Sequence, residues 1–170
     1  MCNLSGPKFL ADENVGKLGK WLRTLGYDVA YQSPATDAQL ALKALRENRV
    51  ILTRDRDFSK QRIVKQCLLL TSQDSVEQLK QVIQAFDLEL NQDCFFTRCL
   101  DCNTVVQPIP KEKARSAIPD YVYRTHNQFH ECPACNKLFW RGSHIRNFQK
   151  WLQQIDEKGI LEDQGTIPVN

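Results

Sequence analysis

Arg49–Asp57 reads RVILTRDRD. Within it, Val50 to Thr53 is a β-prone run without the polar alternation of a half-exposed strand, and the charges of Arg54, Asp55, Arg56 and Asp57 stop it at once. A strand apolar on both faces lies inside a parallel sheet covered by helices on either side. Similar short runs flank it, at Lys8 to Asp12 (KFLAD), Asp28 to Tyr31 (DVAY) and Cys67 to Thr71 (CLLLT).

Between these runs the apolar spacing changes to that of a helix. Val15, Leu18, Trp21, Leu22 and Leu25 share one face, and Gly26 supplies a stop. Thr36 and Gln39 form a capping-box pair ahead of Leu40, Ala41, Ala44 and Leu45, and Ser75 to Phe86 carries Val76, Leu79, Val82, Ile83 and Phe86. Alternating strands and helices predict an α/β layered domain with a mostly parallel sheet over residues 1–90.

The remainder has another character. Five of the seven cysteines lie from Cys94 onward, with short β-prone pieces at Cys94 to Thr97, Thr104 to Gln107 and Leu138 to Trp140. A last amphipathic helix is expected from about Ser143, carrying Ile145, Phe148, Leu152 and Ile155. Residues 91–158 therefore read as a small second domain with a C-terminal helix, and 159–170 as a frayed tail.

The chain has 170 residues, 42% of them hydrophobic, and its longest apolar runs fall far short of the roughly 18 residues a membrane span needs. The N-terminus shows no basic leader with an apolar core, which predicts retention in a reducing cytoplasm. An odd number of cysteines there favours metal binding or burial over a disulfide framework. Net charge is only +3, but Lys43 to Lys65 holds eight basic residues against three acidic, and Arg98 to Trp151 nine against four. Such stretches are either solvated faces or phosphate-binding surfaces.

Cys99-Leu100-Asp101-Cys102 and Cys132-Pro133-Ala134-Cys135 are two C-x-x-C pairs separated by 29 residues. Two knuckles of this kind complete a tetrahedral four-sulfur zinc site, and a closed site leaves no position for substrate. The zinc is therefore expected to be structural. Cys2, Cys67 and Cys94 lack such partners and read as buried or incidental thiols.

Asp12 ends the first strand, Asp37 opens the helix after the second, and Asp55 and Asp57 follow the third. In a parallel sheet these positions lie on one rim, at the carboxyl ends of the strands, where ligands bind. Carboxylates gathered there raise one another's pKa unless a divalent cation neutralises them, and hard oxygen ligands suit Mg²⁺ or Mn²⁺. Each aspartate also has a plainer reading, as strand end, helix start or turn. Lys17, Lys20 and Arg23 follow Asp12, and Arg54 and Arg56 flank Asp55, a setting suited to a polyanion.

Several runs carry a family resemblance: Phe9-Leu10-Ala11-Asp12, Gly16 to Val29 (GKLGKWLRTLGYDV), Asp37, Arg49 to Asp55, Arg98-Cys99-Leu100-Asp101-Cys102-Asn103, Pro119 to Val122, and Phe129 to Cys135 leading to Trp140-Arg141-Gly142-Ser143-His144. Together they resemble the Mut-seven C-terminal ribonuclease family, a PIN-like nuclease group, over roughly Lys8 to Trp151. The resemblance implies a PIN-like three-layer sandwich followed by a zinc ribbon, with metal-dependent ribonuclease activity. Asp12, Asp37 and Asp55 fall on the family's acidic positions, and Asp57 on one that is acidic in related groups. Glu13 stands where the family often has an apolar residue, as an added ligand or as helix-start charge.

The expected activity is hydrolysis of RNA phosphodiester bonds by a metal-activated water, with Asp12, Asp37 and Asp55 as Mg/Mn ligands and Asp57 as a fourth acid. Arg23 and Arg54 are the candidates for phosphate contact. In the ribbon, Lys111, Lys113, Arg115, Arg124, Lys137 and Arg141 would add RNA affinity, and Phe139 and Trp140 either stack on bases or fill the ribbon core. His144 contacts phosphate or makes a structural hydrogen bond. RNA is the expected partner, with the ribosome or tRNA as the assemblies in view; no feature fixes an oligomeric state. Two rivals remain: a non-catalytic RNA-binding or ribosome-associated adaptor, and the PIN-like toxin of a toxin–antitoxin pair.

Overall fold

A computed structural model describes residues 6–140, 148, 151 and 152. Four strands, β1 (Lys8–Ala11), β2 (Val29–Tyr31), β3 (Arg49–Thr53) and β4 (Cys67–Leu69), pair in the order β2-β1-β3-β4, all parallel. The helices between and after them are α1 (Gly16–Thr24), α2 (Asp37–Glu47), the single turn α3 (Arg56–Ser59) and α4 (Ser75–Phe86). The strand starts and helix spans follow the apolar patterns of the sequence closely.

Register explains the layering. Leu10, Ala30, Ile51 and Cys67 are partnered across the four strands, so their side chains share one face, where they meet Leu40, Ala41, Ala44 and Phe58. One residue along, Phe9 and Ala11 point to the other face, which α1 and α4 cover. There Gly19 lies so near the sheet that an added Cβ would sit 3.2 Å from Ala11 Cβ. The Phe9 ring meets Phe86 edge-on at 5.3 Å, and Trp21 Nε1 donates to Ser75 Oγ between α1 and α4. Two helical layers thus enclose the sheet.

Local signals set the helix ends. Thr36 and Gln39 form the reciprocal capping box at the start of α2. Beyond α1, Gly26 takes φ +98°, and a Cβ there would lie 2.5 Å from the Cys94 carbonyl oxygen. The four-residue α3 is too short to persist alone. Its side-chain anchor is Phe58, 1% exposed, whose burial contributes about 1.5–3 kcal/mol.

β1 leads through α1 to β2 on one side, whereas β2 crosses back through α2 to β3 on the other. The gap between β1 and β3 is consequently the switch point of the sheet, the place where an α/β fold opens a crevice beyond its strand ends.

The described residues form two compact units, one running through Gln107 and taking in Cys132–Lys137, the other comprising Pro108–Glu131 with the described residues from Leu138 onward. The compact sheet unit thus extends past the compositional change near residue 91, because Arg23, Arg98 and Asn103 hydrogen-bond residues on both sides of it. In the second unit β6 (Phe129–Glu131) and β7 (Leu138–Trp140) are antiparallel, and β5 (Gln107–Ile109) joins the edge of β6. Its core is Ala114, Ile118 and Phe129, against which Val122, Tyr123, Leu138 and Trp140 pack from α6 (Asp120–Thr125) and β7. α5 (Lys111–Ala114) precedes it.

Two expected β pieces differ. Cys94 to Thr97 is not a strand, since Phe96 at φ 60° breaks the extended run after a 3-10 turn at Gln92–Cys94. Thr104 to Gln107 contributes only the Arg98–Val105 bridge and the first residue of β5. The helix expected from Ser143 lies outside the described residues except for Phe148, Trp151 and Leu152, which are helical. No helix among the described residues is long and apolar enough to cross a membrane.

Candidate functional site

The four cysteines of the paired motifs come together. Their sulfur atoms all lie within 4.8 Å of one another, with Cys99–Cys135 at 3.7 Å, Cys102–Cys132 at 3.3 Å and Cys102–Cys135 at 3.8 Å. A zinc–sulfur bond of ~2.3 Å in a tetrahedron gives edges of about 3.8 Å, so the donor set fits one zinc ion.

Both knuckles are built alike. The Cys99 amide donates to Thr104 O and the Cys132 amide to Lys137 O, at 2.8 and 2.9 Å. Asn103 and Asn136, each following the second cysteine of its pair, take φ 68° and 59° and return an amide to the first cysteine's carbonyl. Asparagine tolerates that left-handed turn better than most residues. The doubled C-x-x-C-N pattern was the sequence signal for these two residues. Lys137 pairs with Asp101 between the knuckles, its ammonium holding the Asp101 carboxyl below the usual range.

The acids occupy the rim of the sheet. Asp12, 8% exposed, sits at the end of β1; its Oδ1 accepts from the Glu13 amide and its Oδ2 from Asn14 Nδ2 at 2.9 Å and Thr53 Oγ1 at 2.6 Å. Thr53, the last residue of β3, is fully buried, and the same hydroxyl accepts from the Asp55 amide at 3.0 Å. Asp55 Oδ1 in turn caps α3, accepting from the amides of Asp57 and Phe58. Asp12 and Asp55 therefore flank the β1/β3 switch point, tied to one shared hydroxyl. Asn14 adds a second tie, because its Oδ1 accepts from the Arg54 amide.

Asp37 is exposed at the first turn of α2 and accepts from Gln61 Nε2 at 2.7 Å, and Asp57 is exposed on α3. Among the described residues the carboxylates do not close into a cluster as tight as that of the cysteines. What the rim offers is a buried carboxylate held by three hydrogen bonds, with the exposed Asp55 tied to the same hydroxyl.

A family model described as the Mut7-C RNAse domain matches residues 7–152. The chain belongs to the Mut7-C RNAse family. No curated protein and no solved structure matches it.

In this Mut7-C chain the basic residues fall in different places. Arg54 is half-buried beside Asp55. Arg23 is 5% exposed, and its Nε donates to Val29 O while Nη1 donates to Leu100 O and Asp101 O. Burial lowers its pKa, against the pull of Cys102, Cys99, Asp101 and Asp28. Lys113 pairs with Glu131 and Arg115 with Asp120, while Lys111 and Arg115 both lie over the Tyr123 ring. Trp140 packs on the second unit's core. Arg141 and His144 lie outside the described residues.

Of the leftover thiols, Cys67 lines the core face of β4, where burial, with Asp12 adding to it, pushes its pKa up to about 11. It is no nucleophile at neutral pH. Cys94 is fully buried, in keeping with its reading as a buried or incidental thiol, but it is disulfide-bonded and so not a thiol. The residues that sequence reasoning missed are Thr53, Asn14 and Gln61, each a neutral hydrogen-bonding partner of an acid; for Thr53 the signal was its place two residues before Asp55 at a strand end.

Proposed function

We propose that this protein is a metal-dependent ribonuclease that hydrolyses RNA phosphodiester bonds at the β1/β3 rim. The observation that carries the reading is the sharing of the Thr53 hydroxyl by the Asp12 carboxylate and the Asp55 amide at the switch point of a Mut7-C RNAse domain. Asp12, Asp37 and Asp55 would hold Mg²⁺ or Mn²⁺, with Asp57 as a fourth acid. Such an ion, when bound, supplies a nucleophilic water and stabilises charge on the phosphate.

The chain's own residues then have separate tasks. Thr53 and Asn14 fix Asp12 in one orientation, so the buried carboxylate keeps its place as ligands change around it. Arg54 would meet phosphate beside the acids, and Arg23 supports the fold beneath the first knuckle. The four-cysteine site would carry structural zinc, and Lys137 with Lys111, Lys113, Arg115, Arg124 and Arg141 would add affinity for RNA in the cytoplasm.

Labelled RNA incubated with purified protein and Mn²⁺ tests this, beside Asp12→Asn and Asp55→Asn. Asparagine also caps helices well, so Asp55→Asn removes charge while keeping α3 capped. Cleavage by the wild type, lost to background in both variants, is expected, with the melting temperature unchanged in Asp55→Asn and lowered in Asp12→Asn, whose amide cannot accept at both of the positions where the carboxylate does. Equal cleavage by all three, or none by any, overturns the enzyme reading; RNA bound but uncut would favour the non-catalytic adaptor.

A further inference from the structure

The outer edge of β2 is capped, and the cap is the first zinc knuckle. Among the described residues β2 is an edge strand whose one strand neighbour is β1. The Phe9 amide of β1 donates to Asp28 O, so the next residue, Val29, turns its N–H and C=O away from β1. A bare edge of that kind invites pairing with another chain. Here the Val29 amide donates to Asn103 Oδ1 at 3.0 Å, and its carbonyl accepts from Arg23 Nε at 2.9 Å.

Every partner in this cap belongs to the knuckle or grips it. Arg23 Nη1 donates to Leu100 O at 2.6 Å and Asp101 O at 3.0 Å, the carbonyls of the two residues between Cys99 and Cys102. Asn103 Nδ2 donates to Asp28 Oδ1, and Arg98 spans Gly26 O and Asn103 O. Cys102 and Cys132 have 29 residues between them in sequence, and no disulfide joins the four sulfurs. A zinc ion bound by those sulfurs would tie the first knuckle to the second, adding to the hydrogen bonds that already hold it.

We propose that zinc occupancy of the four-cysteine site controls the order of the sheet edge: the filled knuckle stands in for a fifth strand beside β2, and emptying it uncovers Val29. Arg23 and Asn103 are the positioning residues that transmit metal binding to the sheet. This rests on the zinc reading of the cysteines and is independent of the ribonuclease reading.

Amide hydrogen exchange on the full chain, loaded with zinc or stripped by chelator, tests it, with zinc content measured in parallel. Stripping should raise exchange at Val29 by about tenfold or more while the Leu10 and Ile51 amides in the middle of the sheet stay protected. Asn103→Gly, which leaves all four cysteines in place and tolerates the φ of 68° at that turn, should keep one equivalent of zinc and yet expose Val29 in the loaded protein. Unchanged exchange at Val29 after complete stripping overturns the proposal. So does loss of protection throughout the sheet, which would make zinc a global determinant of folding, or unaltered Val29 exchange in zinc-loaded Asn103→Gly. Less than one zinc in the wild type refutes the metal reading itself and is distinguished by the metal analysis alone.

Discussion

Replacing Thr53 by valine keeps the shape of a fully buried side chain and deletes the hydroxyl that Asp12 and Asp55 share. The bond lost to the Asp12 carboxylate, 2.6 Å long, is charge-assisted and contributes roughly 1.5–3 kcal/mol; the bond from the Asp55 amide adds about 1 kcal/mol. Asn14 still donates to Asp12 Oδ2, which offsets part of the loss. The expected net cost is about 2–3 kcal/mol, or roughly 5–10 °C in Tm for a chain of this size. Urea unfolding of zinc-loaded protein reads the stability, and cleavage of labelled RNA with Mn²⁺ reads the site. Thr53→Ser separates the causes, because it keeps the hydroxyl and removes only a buried methyl, at about 1 kcal/mol. Serine should therefore retain cleavage where valine loses it. A Thr53→Val protein as stable as the wild type, or serine and valine variants with equal loss of cleavage, would refute the assignment of the hydroxyl as the link between the two acids.

Two further outcomes follow from geometry and charge. Gly26→Ala places a Cβ against the Cys94 carbonyl oxygen at a φ of +98°, so urea unfolding should show a loss of about 2 kcal/mol or more. Burial would push the Asp28 carboxyl up, but hydrogen bonds from Arg49 and Asn103 and the charges of Arg49 and Arg98 hold it below its ordinary value. A depressed folded pKa contributes stability that is present above the unfolded value of about 3.9 and is lost as pH falls through the folded one. Asp28→Asn should accordingly be less stable than the wild type at pH 7, with the gap closing below about pH 4 in pH-resolved unfolding; a gap constant down to pH 2 would contradict the assignment.

The sheet was legible because its determinants are local. Val50 to Thr53 lacks the alternation that a half-exposed strand would show, and the Thr36/Gln39 pair marks the start of α2 within four residues. The four-cysteine cluster was legible for a related reason, since each knuckle is a closed local motif and only their meeting is long-range. Arg23 shows where such reading stops. On its own helix it looks like one more cation beside an acid, and its burial is decided by carbonyls 77 and 78 residues later in the chain. Phe96 was equally opaque, for nothing in its sequence neighbourhood announces a left-handed turn. At the rim, charge patterning indicated the aspartates but not the neutral side chains that orient them, because a threonine in a β run reads simply as strand.

The return of Cys132–Lys137 to the unit that ends at Gln107 sets an order of events during synthesis. All four strands of the parallel sheet have left the ribosome well before the second knuckle exists. At 5–20 residues per second the first cysteine pair waits about 2–7 s for its partner. Throughout that interval the nascent chain carries the first cysteine pair without the second that it meets in the folded unit.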